Sequence, residues 1–194
     1  MNKGHTAASS FNYNDQLFVV GGFTKTIDTL DLNELPLKWM EFSFEFPYVS
    51  LMKCQMPQPR DSHGAEAFKD KVLILGGQDD NDVLDSVLEF DPEKNECKEP
   101  PSLSHPMHYM QEMATVRWRD QVVLFGGRVK DDQVLNDVFM YDCKTGKITA
   151  LPSMLEKRYD CCAVITGNTI VVMGGENDDD LRYVEYFTME SFTW

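Results

Sequence analysis

The sequence predicts an all-β chain made of about four repeats of a four-stranded antiparallel sheet. Three observations carry this. Four apolar runs each end on a glycine pair: Leu17-Phe18-Val19-Val20 into Gly21-Gly22, Val72-Leu73-Ile74-Leu75 into Gly76-Gly77, Val122-Val123-Leu124-Phe125 into Gly126-Gly127, and Ile170-Val171-Val172-Met173 into Gly174-Gly175. The first glycines fall at 21, 76, 126 and 174, so they are 55, 50 and 48 residues apart. A fixed period near 50 residues marks a repeat architecture. Each pair is followed by a polar loop and a second strand that ends in a large residue and usually an acid: Leu30-Asp31, Phe90-Asp91, Tyr141-Asp142 and Phe187-Thr188.

Each apolar run is short and rich in β-branched residues, which suits a strand buried on both faces. The glycines stop that strand, because glycine takes positive φ without steric cost and lets a second backbone pass closely. Seven residues past Phe187 stands Trp194, and seven past Phe90 and Tyr141 stand Cys97 and Ile148. Trp39 follows Leu30 by nine.

This layout of apolar strand, glycine pair, loop, strand ending in Tyr-Asp, short turn and Trp resembles the kelch repeat over nearly the whole chain. It departs where Cys97 and Ile148 replace the Trp and Leu30 replaces the Tyr. The resemblance implies kelch-type β-propeller blades, with Trp39, Tyr141, Trp194 and the eight paired glycines as their structural residues. The blades are expected at about 4–44, 59–103, 107–154 and 157–194. The last lacks most of its outer strand, so a partial propeller, an arc, is expected where propellers in general have about 4–8 blades.

The elements follow in order. Repeat one runs from a first strand at His5–Phe11, through the Asn14-Asp15 turn and the glycine-pair strand, to a third strand at Ile27–Leu32 and a fourth at Trp39–Phe44. Residues 45–58 form a long link with little regular pattern, read either as a binding loop or as an insertion. Repeat two has its first strand at Gly64–Phe68, its third at Val83–Phe90 and its fourth around Cys97–Lys98, with Asp91-Pro92-Glu93-Lys94-Asn95 as turn chemistry. Repeat three reads Met113–Trp118, Gln121–Phe125, Asp137–Tyr141 and Lys147–Ala150. Repeat four reads Cys161–Thr166, Thr169–Met173 and Arg182–Phe187. Pro101-Ser102-Leu103 and Pro152-Ser153-Met154 close repeats two and three alike. The first strands carry small residues (Ala7, Ala8, Ser9, Gly64, Ala65, Ala114, Cys161, Cys162 and Ala163), as expected where strands converge on an axis.

Composition sets the outer bounds. A compact chain of 194 residues buries about 70% of its unfolded surface. The net charge of −14 argues against nucleic acid and anionic membrane as partners, which need a basic face. Five cysteines, an odd number with no C-x-x-C spacing, point to a reduced protein without a disulfide framework. No apolar stretch approaches the ~18 residues of a membrane helix, and no signal-peptide core opens the chain. With Met1 as the natural start, the expectation is an intracellular, cytoplasmic protein.

The resemblance places ligands on the face built from the loop after each glycine pair and the loop before the next first strand. In this sequence those positions are Phe23, Gln78, Arg128 and Glu176, and then Ser62, Met110 and Asp160, with Tyr109 and Tyr159 beside the latter two. Aromatic and Arg anchors suit protein recognition. The same loops hold Asp79, Asp80, Asp82, Asp131, Asp132, Asp178, Asp179 and Asp180. These are read first as solvated turn formers, with a rim for a basic peptide and a weak calcium site as the alternatives, although the EF-type spacing is missing. His105, His108 and Cys97 match no zinc pattern, and no nucleophile, P-loop or dinucleotide motif occurs.

The expected function is a non-enzymatic protein-interaction module without cofactor or metal, holding a protein or peptide partner, with a basic one in view. The resemblance implies a further role as the substrate-recognition part of a cullin-RING ubiquitin ligase adaptor, which uses BTB and BACK domains that this stretch does not contain. The alternatives are an enzyme of kelch-like propeller type with a metal or sugar site, and actin binding.

Overall fold

A computed structural model describes residues 7–22, 25–33, 35–37, 39–41, 43–46, 49–53, 55–99 and 110–194. Among them the regular structure is strand, apart from one three-residue 3-10 turn at Lys130–Asp132. The first sheet is β1 (Ser9–Tyr13), β2 (Gln16–Val20), β3 (Ile27–Asp31) and β4 (Trp39–Glu41), hydrogen-bonded in that order. A separate two-stranded hairpin follows, β5 (Ser43–Phe46) with β6 (Val49–Lys53). The second sheet is β7 (Gly64–Phe68), β8 (Lys71–Leu75), β9 (Val87–Asp91) and β10 (Glu96–Lys98). The third is β11 (Ala114–Trp118), β12 (Gln121–Phe125), β13 (Val138–Asp142) and β14 (Ile148–Leu151). The fourth has three strands, β15 (Cys162–Thr166), β16 (Thr169–Met173) and β17 (Val184–Thr188). All pairings are antiparallel, so each sheet is a meander and the chain is a series of kelch-type blades.

Three expectations need correcting. Residues 45–58 are not patternless: Phe46 pairs with Val49 and Phe44 with Met52 in the β5–β6 hairpin. The strand expected at Trp39–Phe44 accordingly stops at Glu41, and Ser43 already belongs to the hairpin. The third strand of repeat two starts at Val87 rather than Val83, because Val83 instead bridges Gln78 at the base of the preceding loop.

Register explains the spacing between the third-strand residue and the Trp position. Leu30 lies opposite Trp39, Phe90 opposite Cys97 and Tyr141 opposite Ile148. Tyr141 is buried, and burial pushes its phenol up to about 12. Trp194 packs its ring 4.9 Å from Phe187 and edge-on to Phe125, and its indole N–H donates to the Pro152 carbonyl at 2.8 Å.

The cores lie between blades rather than within them. Phe18, Val20 and Ile27 of the first sheet pack with Val72, Ile74 and Phe90 of the second. Leu73, Leu75 and Val87 pack with Val122 and Leu124. Val123, Phe125 and Val138 pack with Ile170, Val172 and Phe187. Successive residues of each central strand therefore serve opposite neighbours, which is why the strand is apolar throughout. The first strands β1, β7, β11 and β15 neighbour one another in turn. On the fourth sheet, the face turned away from the third leaves Cys162, Val164, Met173, Val184 and Tyr186 exposed.

Candidate functional site

The site is built where the chain enters each first strand. Three four-residue segments occupy equivalent places: Arg60-Asp61-Ser62-His63, Met110-Gln111-Glu112-Met113 and Arg158-Tyr159-Asp160-Cys161. The carbonyl of the first residue accepts from the second glycine of the preceding blade: Gly22 N–H to Arg60 at 3.0 Å, Gly77 to Met110 at 2.8 Å and Gly127 to Arg158 at 2.8 Å. The second residue exchanges two backbone hydrogen bonds with the residue after its own blade's glycine pair, giving Asp61 with Gln78, Gln111 with Arg128 and Tyr159 with Glu176. The third residue joins blade to blade. Ser62 N–H donates to Ala7 O at 2.8 Å, Glu112 to Ser62 O at 2.8 Å and Asp160 to Glu112 O at 2.9 Å.

Glycine is required for this arrangement. All eight paired glycines have positive φ. A Cβ on Gly127 falls 2.5 Å from the Gln111 carbonyl, and one on Gly175 falls 2.6 Å from the Tyr159 carbonyl. The passing segment occupies the space that a side chain needs. Ser62, Glu112 and Asp160 take the left-handed conformation themselves, at φ +54°, +57° and +48°. With Ala7, Ala8, His63, Met113 and Cys161 they line a shallow depression of about 200 Å³ at the end of the first strands.

Charge is organised around Arg128. Its guanidinium grips the Glu112 carboxylate at two points, the second at 2.7 Å, and reaches Asp132 at 3.5 Å. It also stacks 4.2 Å over the Tyr159 ring, whose hydroxyl donates to Glu176 Oε2 at 2.7 Å. The Glu112 hydrogen bond raises the Arg128 pKa. Asp160 is raised by partial burial, then by Glu112 and Glu176. A smaller cluster stands on the second blade, where Asp61 Oδ1 accepts from Ser62 Oγ at 2.9 Å and from Gln78 Nε2 at 3.0 Å.

Beneath this surface Arg60 and Arg158 are fully buried struts. Arg60 donates to the Gly76 and Ser86 carbonyls and to Ser86 Oγ, and burial brings its pKa down to about 10. Arg158 donates to Gly174 O at 2.7 Å and pairs with Glu185. His63 is buried with neither ring nitrogen in a complete hydrogen bond, although the Arg60 and Val20 carbonyls face it. Burial, then Arg60, brings its pKa down to about 3, so the ring is neutral.

The structure thus brings Arg128, Tyr159, Asp160 and Glu176 together, and sets Ser62 and Gln78 apart around Asp61. Met110 is misplaced as a surface candidate: it is buried and is the counterpart of Arg60 and Arg158. Glu112 holds the position equivalent to Ser62 and Asp160. Aligning the three segments on Gly64, Ala114 and Cys162, each four residues after Arg60, Met110 and Arg158, is the sequence signal that finds it. Phe23 and Tyr109 lie outside the described residues, as do His105 and His108. Asp79 accepts from the Asn81 and Asp82 N–H groups, so it shapes its own turn. Asp82 pairs with Lys130 of the next blade at 2.9 Å. Among the described residues no three His, Cys, Asp or Glu side chains are grouped so as to hold a metal.

Comparison with known proteins agrees with the repeat. Residues 2–175 match the KLHDC2/KLHL20/DRC7 Kelch-repeats domain, and residues 157–194 match the Kelch motif. The chain is 29% identical over 186 residues to Kelch-like protein 41b of Danio rerio, an alignment covering 93% of this chain and 29% of that protein. It is 25% identical over 174 residues to Kelch-like protein 25 of Xenopus tropicalis, covering 89% and 28%. It is also 24% identical over 148 residues to tRNA wybutosine-synthesizing protein 4 of Saccharomyces cerevisiae, covering 73% and 21%. The chain spans less than a third of the length of these relatives.

Proposed function

We propose that this chain, which belongs to the kelch-repeat family, is a non-enzymatic protein-binding module whose loop face holds a basic peptide. One observation carries this reading: the segments after the glycine pairs and before the first strands gather an excess of acid at one end of the blades. Asp79, Asp80, Asp82, Glu112, Asp131, Asp132, Asp160, Glu176, Asp178, Asp179 and Asp180 stand there against Arg128, Lys130, Lys157 and Arg182. Arg128 and Lys130 are already paired with Glu112 and Asp82. A cationic peptide meets Asp80, Asp131, Asp178, Asp179 and Asp180, which make no ion pair among the described residues, and complementary fields of this kind govern partner choice and association rate. Tyr159, fixed between Arg128 and Glu176, offers the rigid aromatic surface that recognition sites favour.

Within a longer protein, the module serves as the substrate-recognition part of a cullin-RING ubiquitin ligase adaptor. The kelch-like relatives support that role. The phosphate-rich surfaces of nucleic acid and membranes do not suit this face.

The test is fluorescence anisotropy with a labelled Lys/Arg-rich peptide and a Glu-rich control. Exposed ion pairs are worth about 0.2–1 kcal/mol each. Reversing Asp79, Asp80, Asp178 and Asp179 to Lys is therefore expected to weaken the basic peptide by about 10-fold or more. Affinity should also fall as salt rises. Equal binding by the reversed variant and the parent excludes this face.

A further inference from the structure

At the opposite end of the same strands, between the second and third blades, cations gather and slightly outnumber the acids. The turns after β7 and β11 and the turn after β13 bring Lys69, Lys71, Arg117, Arg119 and Lys144 to one place between the second and third blades. The carboxylates beside them are Asp70, Glu89, Asp120 and Asp142. Glu89 is taken by Lys71 and Asp120 by Lys144. Asp142 is engaged by the backbone N–H groups of Lys144 and Thr145 and by the Thr145 hydroxyl. Lys69 and Arg117 also act on Asp120, and Arg117 acts on Glu66 as well. Among the described residues, Lys69, Arg117 and Arg119 have no ion pair. They lie instead over rings, Lys69 at 5.1 Å and Arg117 at 5.5 Å from the Phe68 centroid and Arg119 at 4.3 Å from that of Trp118.

Lys69, Lys71 and Lys144 line a groove of about 400 Å³ together with Phe68, Leu73 and Cys143 and the carboxylates Asp70 and Glu89, the latter already paired with Lys71, and Arg117 lies beside it over the Phe68 ring. We infer that this groove is a second binding surface, and that its occupant is a short acidic peptide carrying one large apolar side chain. The groove has room for that side chain. The flanking carboxylates of the peptide replace water at cations that make no ion pair among the described residues, two of which lie over Phe68. A short peptide is favoured over a nucleic acid or an anionic bilayer by the range of the forces. The chain as a whole carries −14, and an extended polyanion meets that charge across the molecule. A peptide seated in the groove feels only the charges within about one Debye length, ~8 Å at physiological salt. The groove stands five strand residues from the glycine-pair end of β8, about 16 Å at ~3.3 Å per residue, so the two surfaces can be filled at once.

The probe is a labelled Glu-Asp-Phe-Glu-Asp peptide read by anisotropy at about 50 mM and 150 mM salt, with a Lys-Lys-Phe-Lys-Lys control and phosphatidylserine vesicles as separate arms. Binding of the acidic peptide is expected, with at least a 10-fold loss in the Lys69→Glu/Arg119→Glu double variant. Both side chains are exposed at turn positions, and an unchanged melting temperature shows that the variant is folded. The Asp79→Lys/Asp80→Lys variant on the other face is expected to bind the acidic peptide no more weakly than the parent. The inference is overturned if the acidic peptide fails to bind, if the double variant binds it as well as the parent does, or if the vesicles bind and the peptide does not.

Discussion

Arg158 is the residue whose replacement tests how the blades are held together. Its guanidinium lies in a fully buried position, donating to the Gly174 carbonyl and pairing with Glu185. Glu185 is itself buried and accepts from the Leu155 and Glu156 N–H groups, at 2.7 and 3.3 Å, so it ties the link between the third and fourth blades to β17. Arg158→Met keeps the volume of the stem but leaves a buried carboxylate with no cation. Breaking a buried pair in this way costs about 3–5 kcal/mol. At roughly 2–4 °C per kcal/mol for a chain of this size, the melting temperature is expected to fall by about 10 °C in a thermal scan followed by circular dichroism. The double variant Arg158→Met/Glu185→Gln removes the buried charge while its amide oxygen still accepts the shorter bond, from Leu155 N–H. It is expected to recover most of the loss. A single variant that melts within about 2 °C of the parent, or a double variant no better than the single, refutes the claim that an uncompensated charge is the cause.

Other substitutions probe the glycine contacts, the acid cluster and the thiols. Gly175→Ala places its Cβ 2.6 Å from the Tyr159 carbonyl and 2.8 Å from Cys161 Cβ at φ +89°, whereas Gly167→Ala at φ +59° meets nothing within 4 Å. Urea titration should show a cost of about 1–2 kcal/mol for the second, the left-handed conformation alone, and clearly more for the first; equal costs would falsify the close-approach account. Asp160 is raised in the folded state by burial and by Glu112 and Glu176, so the folded form holds the proton more tightly than the unfolded one. Its ionisation therefore costs stability at neutral pH, a cost that fades as pH falls through the raised value to the ordinary aspartate range. Asp160→Asn should melt higher than the parent at pH 7 and equal to it in acid; no difference at pH 7 counts against the reading. Burial pushes the thiols of Cys97 and Cys161 up to about 11 and that of Cys143 to about 12, while Cys162 is exposed. Because the thiolate is the reactive form, mass spectrometry after brief iodoacetamide treatment near pH 8 should find Cys162 alkylated ahead of those three.

The blades were legible in the sequence because their cause is local. Four apolar residues and two glycines specify a strand buried on both faces and the space for a crossing backbone, and both requirements act within a few residues. The place of Tyr141 opposite Ile148 follows from a short turn of fixed length. The hairpin of β5 and β6 escaped because its alternation runs straight on from β4, and only the pairing partners put the two in different sheets.

The site was legible only in part. Arg128, Tyr159, Asp160 and Glu176 follow from counting away from the glycines, but a register shift hid Glu112 behind Met110. What the tertiary structure alone decided is partnership. Arg128 holds Glu112 from 16 residues away, and Arg117 meets Ala67 O from 50. The stacking of first strands sets segments one whole repeat apart side by side, and no pattern within a single repeat encodes which charges then neutralise each other. The two ends of each strand face opposite ways, so a sequence that reads only as acidic becomes a molecule with an acidic loop face and a lysine-lined groove behind it.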